Sequence, residues 1–172
     1  YEFYDPERKT PLHSWHINQN AVFENVGQWK RPWYYKKFED ETMHLAVQRE
    51  AEQVRKTAGI LDGSTLGKIE IKGKDALTFV NLMYTNSFTK MKPKTGRYAL
   101  MLGEDGMIKD DGIVCKINDQ HFIVTTTTGN AASVLAHMEE YAQTEWPNLN
   151  VYMNSITEQF ATFNLSGPKS RA

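Results

Sequence analysis

The sequence predicts an α+β fold that combines an antiparallel or mixed sheet with amphipathic helices. Segments with helical spacing of apolar residues occur beside segments in which apolar residues alternate with polar ones. The extended segments after residue 96 are separated only by short turn sequences, a pattern typical of an antiparallel meander. Strands and helices do not alternate strictly, which argues against a doubly wound parallel sheet.

Residues 1–42 show no clear period and carry many aromatic side chains, among them Trp15, Trp29, Trp33 and Tyr35. A disordered tail would be poor in such residues. We therefore expect an aromatic-rich N-terminal strap over residues 1–42 that packs on a body formed by residues 43–172.

The first helix is predicted over about residues 42–58, with Thr42 or Asp40 as its N-cap and Gly59 just after its end. Its apolar residues fall close to one face: Leu45, Ala51, Val54 and Ala58. Alternation predicts a half-buried strand over residues 67–73. A second helix should follow Asp75, with an apolar set of Leu77, Val80, Leu82 and Met83.

Three strands are predicted over residues 97–102, 112–117 and 121–127, joined by the turn sequences EDG and ND. A helix over residues 130–143 follows, with Val134, Leu135, Met138 and Tyr141 as its buried set. Short strands are expected over residues 149–153 and 159–165.

Composition excludes several classes of partner. Twenty Lys and Arg residues face 21 Asp and Glu residues, and the net charge of −1 gives no basis for binding nucleic acid or an anionic membrane. A single cysteine, Cys115, rules out an intrachain disulfide framework. No apolar run approaches a membrane span and the polar start lacks a signal peptide, so we expect a soluble, cytoplasmic domain.

Few residues indicate a cofactor or a metal. No glycine-rich motif of the dinucleotide or P-loop type is present, so NAD or ATP phosphates are not expected on this segment. His13 and His16 would face each other on a helix, but the surrounding TPLHSWH is not helix-like, and no metal site is predicted. Cys115 lies in an apolar strand pattern typical of a small core residue.

The pair Asp110-Asp111 precedes the apolar strand GIVCKI. In an extended chain these carboxylates point to opposite faces, so they do not act as a pair. Both could be solvated at the start of the strand, or one could cap a turn while the other points into a cavity. The run TTTTG at residues 125–129 is equally open: it suits a β-surface, and its hydroxyls could line a polar pocket.

Several segments resemble one family in the same order along the chain. RKTPLHSWHINQNAVFENVGQWKRPWYY is similar to the N-terminal segment of the glycine-cleavage T-protein (aminomethyltransferase) superfamily. GILDGSTLGKIEIKGKDAL, TNSFTK, YALMLGEDGMIKDDGIV and NLSGPKSR resemble its later motifs. Within the superfamily, DGSTLGKIEI, TTTTG and QTEWPNLNVY resemble the alpha-subunit family of heterotetrameric sarcosine oxidases.

The resemblance implies the N-terminal part of a folate-binding domain with a partial T-protein-like fold. Members of the superfamily hold tetrahydrofolate and charge it with a one-carbon unit to give 5,10-methylenetetrahydrofolate. In sarcosine oxidase, the resemblance implies, flavin (FAD or FMN) elsewhere in the complex oxidises sarcosine, and the imine reaches the folate site, where glycine is released. NAD and flavin would thus belong to other parts of the complex, and the other subunits would be partners.

The resemblance also implies roles for individual residues. The key carboxylate of the family falls on Asp111, and its tyrosine on the preceding strand falls on Tyr98. Thr125, Thr126 and Thr127 are expected folate contacts, although T-proteins carry asparagine in place of Thr125. A carboxylate near the folate N10 could orient that nitrogen and accept its proton, and Tyr98 could stack on or bond the pterin.

Two other functions stay open. The chain could be a non-catalytic module that binds folate or assembles subunits, or a free-standing aminomethyltransferase-like protein that works with a lipoyl carrier. The segments of sarcosine-oxidase type favour the first interpretation over the last. Since the resemblance reaches only the N-terminal part of the family domain, we expect a truncated domain with exposed apolar surface that self-associates in isolation.

Overall fold

A computed structural model describes residues 7–172, which divide into two compact units. The first unit contains the described residues up to Thr65 together with Glu158–Ala172, and the second is Leu66–Thr157. Residues 1–6 of the predicted strap lie outside the described residues. The division of the chain at residue 42 stays a prediction.

The first unit begins with a small sheet where the sequence shows no period. Strands β1 (Arg8–Lys9), β2 (Ala21–Val26) and β3 (Trp29–Tyr35) pair in the order β1-β3-β2, and helix α1 (His13–Asn18) joins β1 to β2. The expectation that this segment is irregular, and that TPLHSWH is not helical, is wrong.

A β-bulge explains why this hairpin has no readable period. Val22 pairs with Tyr34 but Phe23 pairs with Pro32, so one residue of β3, Trp33, is left without an opposite partner. A bulge shifts the alternation of side chains by one residue. Trp29 and Tyr34 are therefore both buried, although their residue numbers differ by an odd number and a regular strand would point them to opposite faces. Trp33 is exposed.

Helix α2 (Met43–Lys56) confirms the first predicted helix and its cap, because the Thr42 hydroxyl accepts the Leu45 N–H at 3.4 Å. Its predicted apolar face is wrong in part: Ala46 is fully buried, whereas Leu45 is 54% exposed. Strand β4 (Gly59–Asp62) follows, and it pairs antiparallel with β10 (Phe163–Ser166).

The second unit contains a five-stranded sheet in which every pairing is antiparallel. Its strands are β5 (Gly67–Lys72), β6 (Thr95–Leu102), β7 (Ile108–Asn118), β8 (His121–Thr126) and β9 (Tyr152–Ser155). They lie in the order β6-β7-β8-β5-β9, so the predicted meander of three consecutive strands is confirmed. The α+β fold class is confirmed with it.

Helices α3 (Ala76–Met83) and α4 (Ala131–Thr144) pack on one face of this sheet. The buried core joins sheet and helix residues, including Ile69, Ile71, Phe79, Val80, Val114, Phe122, Val124, Val134 and Met138. Of the predicted apolar set of α3, Leu82 lies outside the core and is 49% exposed. One sheet face is thus filled by helices, while the other carries partly exposed side chains.

Phe79 tests the core of the second unit, because its ring is fully buried between helix and sheet. We expect Phe79→Ala to lower the free energy of unfolding by about 3–5 kcal/mol, from lost burial and the resulting cavity. Leu82→Ala on the same helix is the matched control and should cost less than about 1 kcal/mol. Urea unfolding measures both, and equal losses would contradict the assigned core face.

Candidate functional site

Strand β7 places its two neighbouring carboxylates on opposite faces of the five-stranded sheet. Asp110 shares the parity of Val114 and is 5% exposed, on the face that the helices cover. Asp111 is half-buried and lies on the other face, beside Tyr98 of β6. The expectation that the pair does not act together agrees with this geometry.

Asp110 anchors the turn between β8 and α4. Its Oδ1 accepts the Thr127 hydroxyl at 2.6 Å and the Asn130 side-chain amide at 3.3 Å, and its Oδ2 accepts the Thr127 backbone N–H at 3.2 Å. Asn130 also donates to the carbonyl of Lys109 at 2.9 Å. Of the alternatives open for Asp110, the structure therefore favours a buried structural carboxylate over a solvated one.

Asp111 forms a direct pair with Tyr98. The Tyr98 hydroxyl donates to Oδ2 of Asp111 at 2.5 Å, the short distance expected when a hydroxyl meets an ionised acceptor. The Tyr98 side chain is 60% exposed, so its ring is open to solvent. The hydrogen bond to Asp111, more than any burial, raises the pKa of Tyr98 above its usual value. The pair thus combines a carboxylate, a phenol kept protonated and an accessible aromatic ring.

Gly112 and Thr125 hold β8 close against β7 next to this pair. A Cβ atom at position 112 would overlap the carbonyl oxygen of Thr125, so only glycine permits this approach. The Thr125 hydroxyl accepts the backbone N–H of Ile113 at 2.8 Å. Thr125 is therefore connected to the residue two positions after Asp111, on the same strand.

The other two threonines are turned towards the core. Thr126 is 1% exposed and its hydroxyl donates to the carbonyl of Thr127 at 3.0 Å. The Thr127 hydroxyl donates to Asp110. Their role as folate contacts stays a prediction, and a ligand that bonded these hydroxyls would have to replace the bonds described here.

The structure brings Asp111 and Tyr98 together, links Thr125 to the same strand, and separates Thr126 and Thr127 from that face. Sequence reasoning did not identify Gly112 and Asn130 as parts of this arrangement. The predicted strand began at residue 112, so no pattern in it marked Asp110 as buried. Nothing local marked Asn130, whose partners are about twenty residues away along the chain.

Cys115 lies in an environment typical of a structural residue. Cys115 is half-buried, and burial raises the pKa of its thiol. Within residues 7–172, no group of three or more His, Cys, Asp or Glu side chains is placed to hold a metal ion. In the same residues, no helix has the length and apolar character needed to cross a bilayer.

The two aspartates should differ in their effect on stability. We expect Asp110→Ala to lower the free energy of unfolding by about 1–3 kcal/mol, because it leaves the half-buried hydroxyl and N–H of Thr127 without their acceptor and removes one of the two acceptors of the Asn130 amide. Asp111→Ala, the matched control one residue away, removes one bond to an exposed phenol and should cost about 1 kcal/mol or less. If urea unfolding ranked the two variants in the opposite order, the assignment of faces would be incorrect.

The hydrogen bond should also govern the titration of Tyr98. In Asp111→Asn we expect the pKa of Tyr98 to fall back towards its ordinary value of 10.0. Since the folded pKa is raised, stabilisation by this bond is complete below the unfolded pKa and is lost as pH rises through the folded one. NMR of tyrosine Cζ carbons, with Tyr98→Phe to assign the resonance, measures the shift. An unchanged pKa in Asp111→Asn would contradict the pairing.

The chain is similar to two groups of proteins. It is 54% identical over 170 residues to the sarcosine oxidase subunit alpha of Corynebacterium sp. (strain U-96), a match covering 99% of this chain and 18% of that protein. It is 28% identical over 164 residues to the aminomethyltransferase of Thermotoga neapolitana, covering 95% of this chain and 42% of that protein. The chain thus spans less than a fifth of the first relative and less than half of the second.

A solved structure has the same fold. The glycine cleavage system aminomethyltransferase T from Bartonella henselae superimposes with a TM-score of 0.81 at 24% identity, over 95% of this chain and 41% of that one. This likeness places the fold among T-proteins, as the sequence resemblance predicted. The model of the GCVT N-terminal domain family matches residues 12–172, which is nearly the whole chain. The chain therefore belongs to the GCVT N-terminal domain family.

Proposed function

We propose that this chain is the folate-binding part of a sarcosine oxidase alpha subunit. In this proposal the one-carbon unit of oxidised sarcosine passes to tetrahydrofolate, giving 5,10-methylenetetrahydrofolate and glycine. The observation that carries the proposal is the Asp111–Tyr98 pair on the open face of the sheet, which is the face opposite to helices α3 and α4. Identity supports the oxidase over a free-standing aminomethyltransferase, at 54% against 28%.

The residues of this face suit a flat heteroaromatic ligand with N–H donors. Tyr98 offers an exposed ring for stacking, and Ile113, which pairs with Tyr98 across the strands and is 45% exposed, adds apolar surface. Asp111 offers a carboxylate that can accept a hydrogen bond from a ring or amine nitrogen. Tetrahydrofolate fits this combination, and its nitrogens would supply the nucleophiles.

Asp111 has the central role in this proposal. A half-buried carboxylate within hydrogen-bond reach of a nitrogen can orient that nitrogen and accept its proton as a new bond to carbon forms. Tyr98 holds the carboxylate in one orientation through its hydroxyl, which is protonated at neutral pH even at the ordinary tyrosine pKa of 10.0. Thr125 and Gly112 keep the neighbouring strand close, so the carboxylate is carried by a rigid element.

The proposal assigns the remaining chemistry to other parts of a complex. Flavin would oxidise the amine and NAD would bind elsewhere, with the other oxidase subunits as partners. The first relative extends far beyond the matched segment, which leaves room for these functions outside the present residues. The folate site and the proton-accepting carboxylate are the contributions proposed for this chain.

Asp111→Asn provides the test, made in the intact protein that carries this chain. We expect formation of 5,10-methylenetetrahydrofolate to slow by about 10²–10⁴-fold, because the amide cannot accept the proton. Anaerobic calorimetry should still detect tetrahydrofolate binding, weakened or altered. The measurement is single-turnover product formation after sarcosine oxidation, with sarcosine consumption as an independent readout.

Glu139→Gln is the matched control, because it neutralises an exposed carboxylate on α4 and should leave both binding and transfer unchanged. Tyr98→Phe keeps the ring but removes the hydroxyl, and we expect an intermediate loss of transfer. Unchanged transfer in Asp111→Asn would remove Asp111 from the site. Absence of tetrahydrofolate binding in the parent protein would contradict the proposed function itself.

A further inference from the structure

A cavity of about 240 Å³ lies within the first unit, whereas the residues proposed for the folate site all belong to the second unit. Seven side chains line it: Leu12, Trp15, His16, Tyr35, Ile60, Asp62 and Phe163. Its volume is slightly below the range of roughly 300–1,000 Å³ typical of sites for drug-sized ligands. Any natural ligand of this cavity is therefore a compact molecule.

A hydrogen-bonded chain of three polar side chains forms one wall of the cavity. His16 Nε2 lies 2.8 Å from Asp62 Oδ2, and His16 Nδ1 lies 2.8 Å from the Tyr35 hydroxyl. In the tautomer whose hydrogen lies on Nε2, this N–H donates to Asp62 and the Tyr35 hydroxyl donates to Nδ1. The hydroxyl hydrogen is thus engaged, and the Tyr35 oxygen is left to accept a hydrogen bond from a ligand.

Asp62 contributes a buried carboxylate to this wall. The side chains of His16 and Asp62 are only 3% and 2% exposed, so the Asp62 carboxylate is shielded weakly by solvent. Burial by itself would raise the pKa of Asp62, but hydrogen bonds from Ser64 and His16 outweigh it, and the pKa lies below its usual value. Arg49, which donates to the carbonyl of Tyr35, is already paired with the buried carboxylate of Glu41.

Three of the residues that line the cavity are aromatic: Trp15, Tyr35 and Phe163. The rings of Trp15 and Tyr35 meet as a corner, with centroids 6.4 Å apart and planes inclined by 67°. Phe163 is the third aromatic residue of the lining. Trp15 and Phe163 are 45% and 43% exposed, so two of the rings border solvent and a ligand can reach them. Aromatic corners of this kind attract alkylated ammonium groups through the ring quadrupoles.

We propose that this cavity binds a small N-methylated ammonium ion. The cation would rest its methyl groups on Trp15, Tyr35 and Phe163 and direct an N–H towards the Tyr35 oxygen, with the carboxylate of Asp62 providing the complementary charge. An anion would be repelled by Asp62, and a neutral molecule of the same shape would gain neither the charge attraction nor the interaction with the rings. The proposal uses residues of the first unit alone and does not rest on the proposed folate site.

Trimethylammonium chloride is the probe, and tert-butanol is its neutral analogue of similar shape that also carries a hydrogen-bond donor. Saturation-transfer difference NMR on the intact protein, at constant ionic strength, gives the dissociation constant of each. We expect saturable binding of trimethylammonium and much weaker binding of tert-butanol. In Trp15→Leu the dissociation constant of trimethylammonium should rise about fivefold or more.

Trp33→Leu is the matched control, because Trp33 is 50% exposed in the same unit but does not line the cavity. It should change the dissociation constant by less than about twofold. The proposal is overturned if trimethylammonium gives no saturable signal, if tert-butanol binds equally well, or if both tryptophan variants weaken binding to the same degree. Selective loss in Trp15→Leu supports it.

Discussion

The second unit depends on the packing of two helices against only one face of its sheet. Burying Phe79, Val80, Val134 and Met138 against β5, β7 and β8 fixes which side chains of each strand turn inward. Because successive side chains of a strand point to opposite faces, the packing of helices on one face also determines which side chains lie on the other face. The pair Asp111–Tyr98 is therefore a consequence of how the core is built.

The same constraint gives neighbouring aspartates different chemistry. Asp110 faces inward, where burial without partners would be costly, and three donors from Thr127 and Asn130 satisfy it. Asp111 faces outward and bonds a single phenol on an adjacent strand. One carboxylate stabilises a turn, while the other stays available to a ligand, and they differ only in their parity along β7.

Much of the fold of the second unit could be predicted from the sequence, because its apolar residues recur at regular spacing within each element. The alternation in β5 to β8 and the apolar spacing of α3 and α4 gave the elements, and the opposite orientation of the two aspartates followed from it. Which aspartate turns inward could not be derived from residues alone, since it depends on the pairing of Val114 with Val124. The bulge at Trp33 interrupts the alternation of side chains in β3, so the β2–β3 hairpin was not predicted. Gly27, which adopts a φ of +57° in the turn of this hairpin, was the one local signal for it.

Gly112 has a consequence for anyone who would redesign the open face. Positions 98 and 113 carry exposed side chains and can be randomised in a library, but position 112 between Asp111 and Ile113 cannot, because its neighbour is the backbone of Thr125 and not a movable side chain. A selection for new ligand preference would therefore succeed by changing the flanking residues and would discard variants at 112. The tolerance of strand β7 to change at this point is limited by a residue that has no side chain.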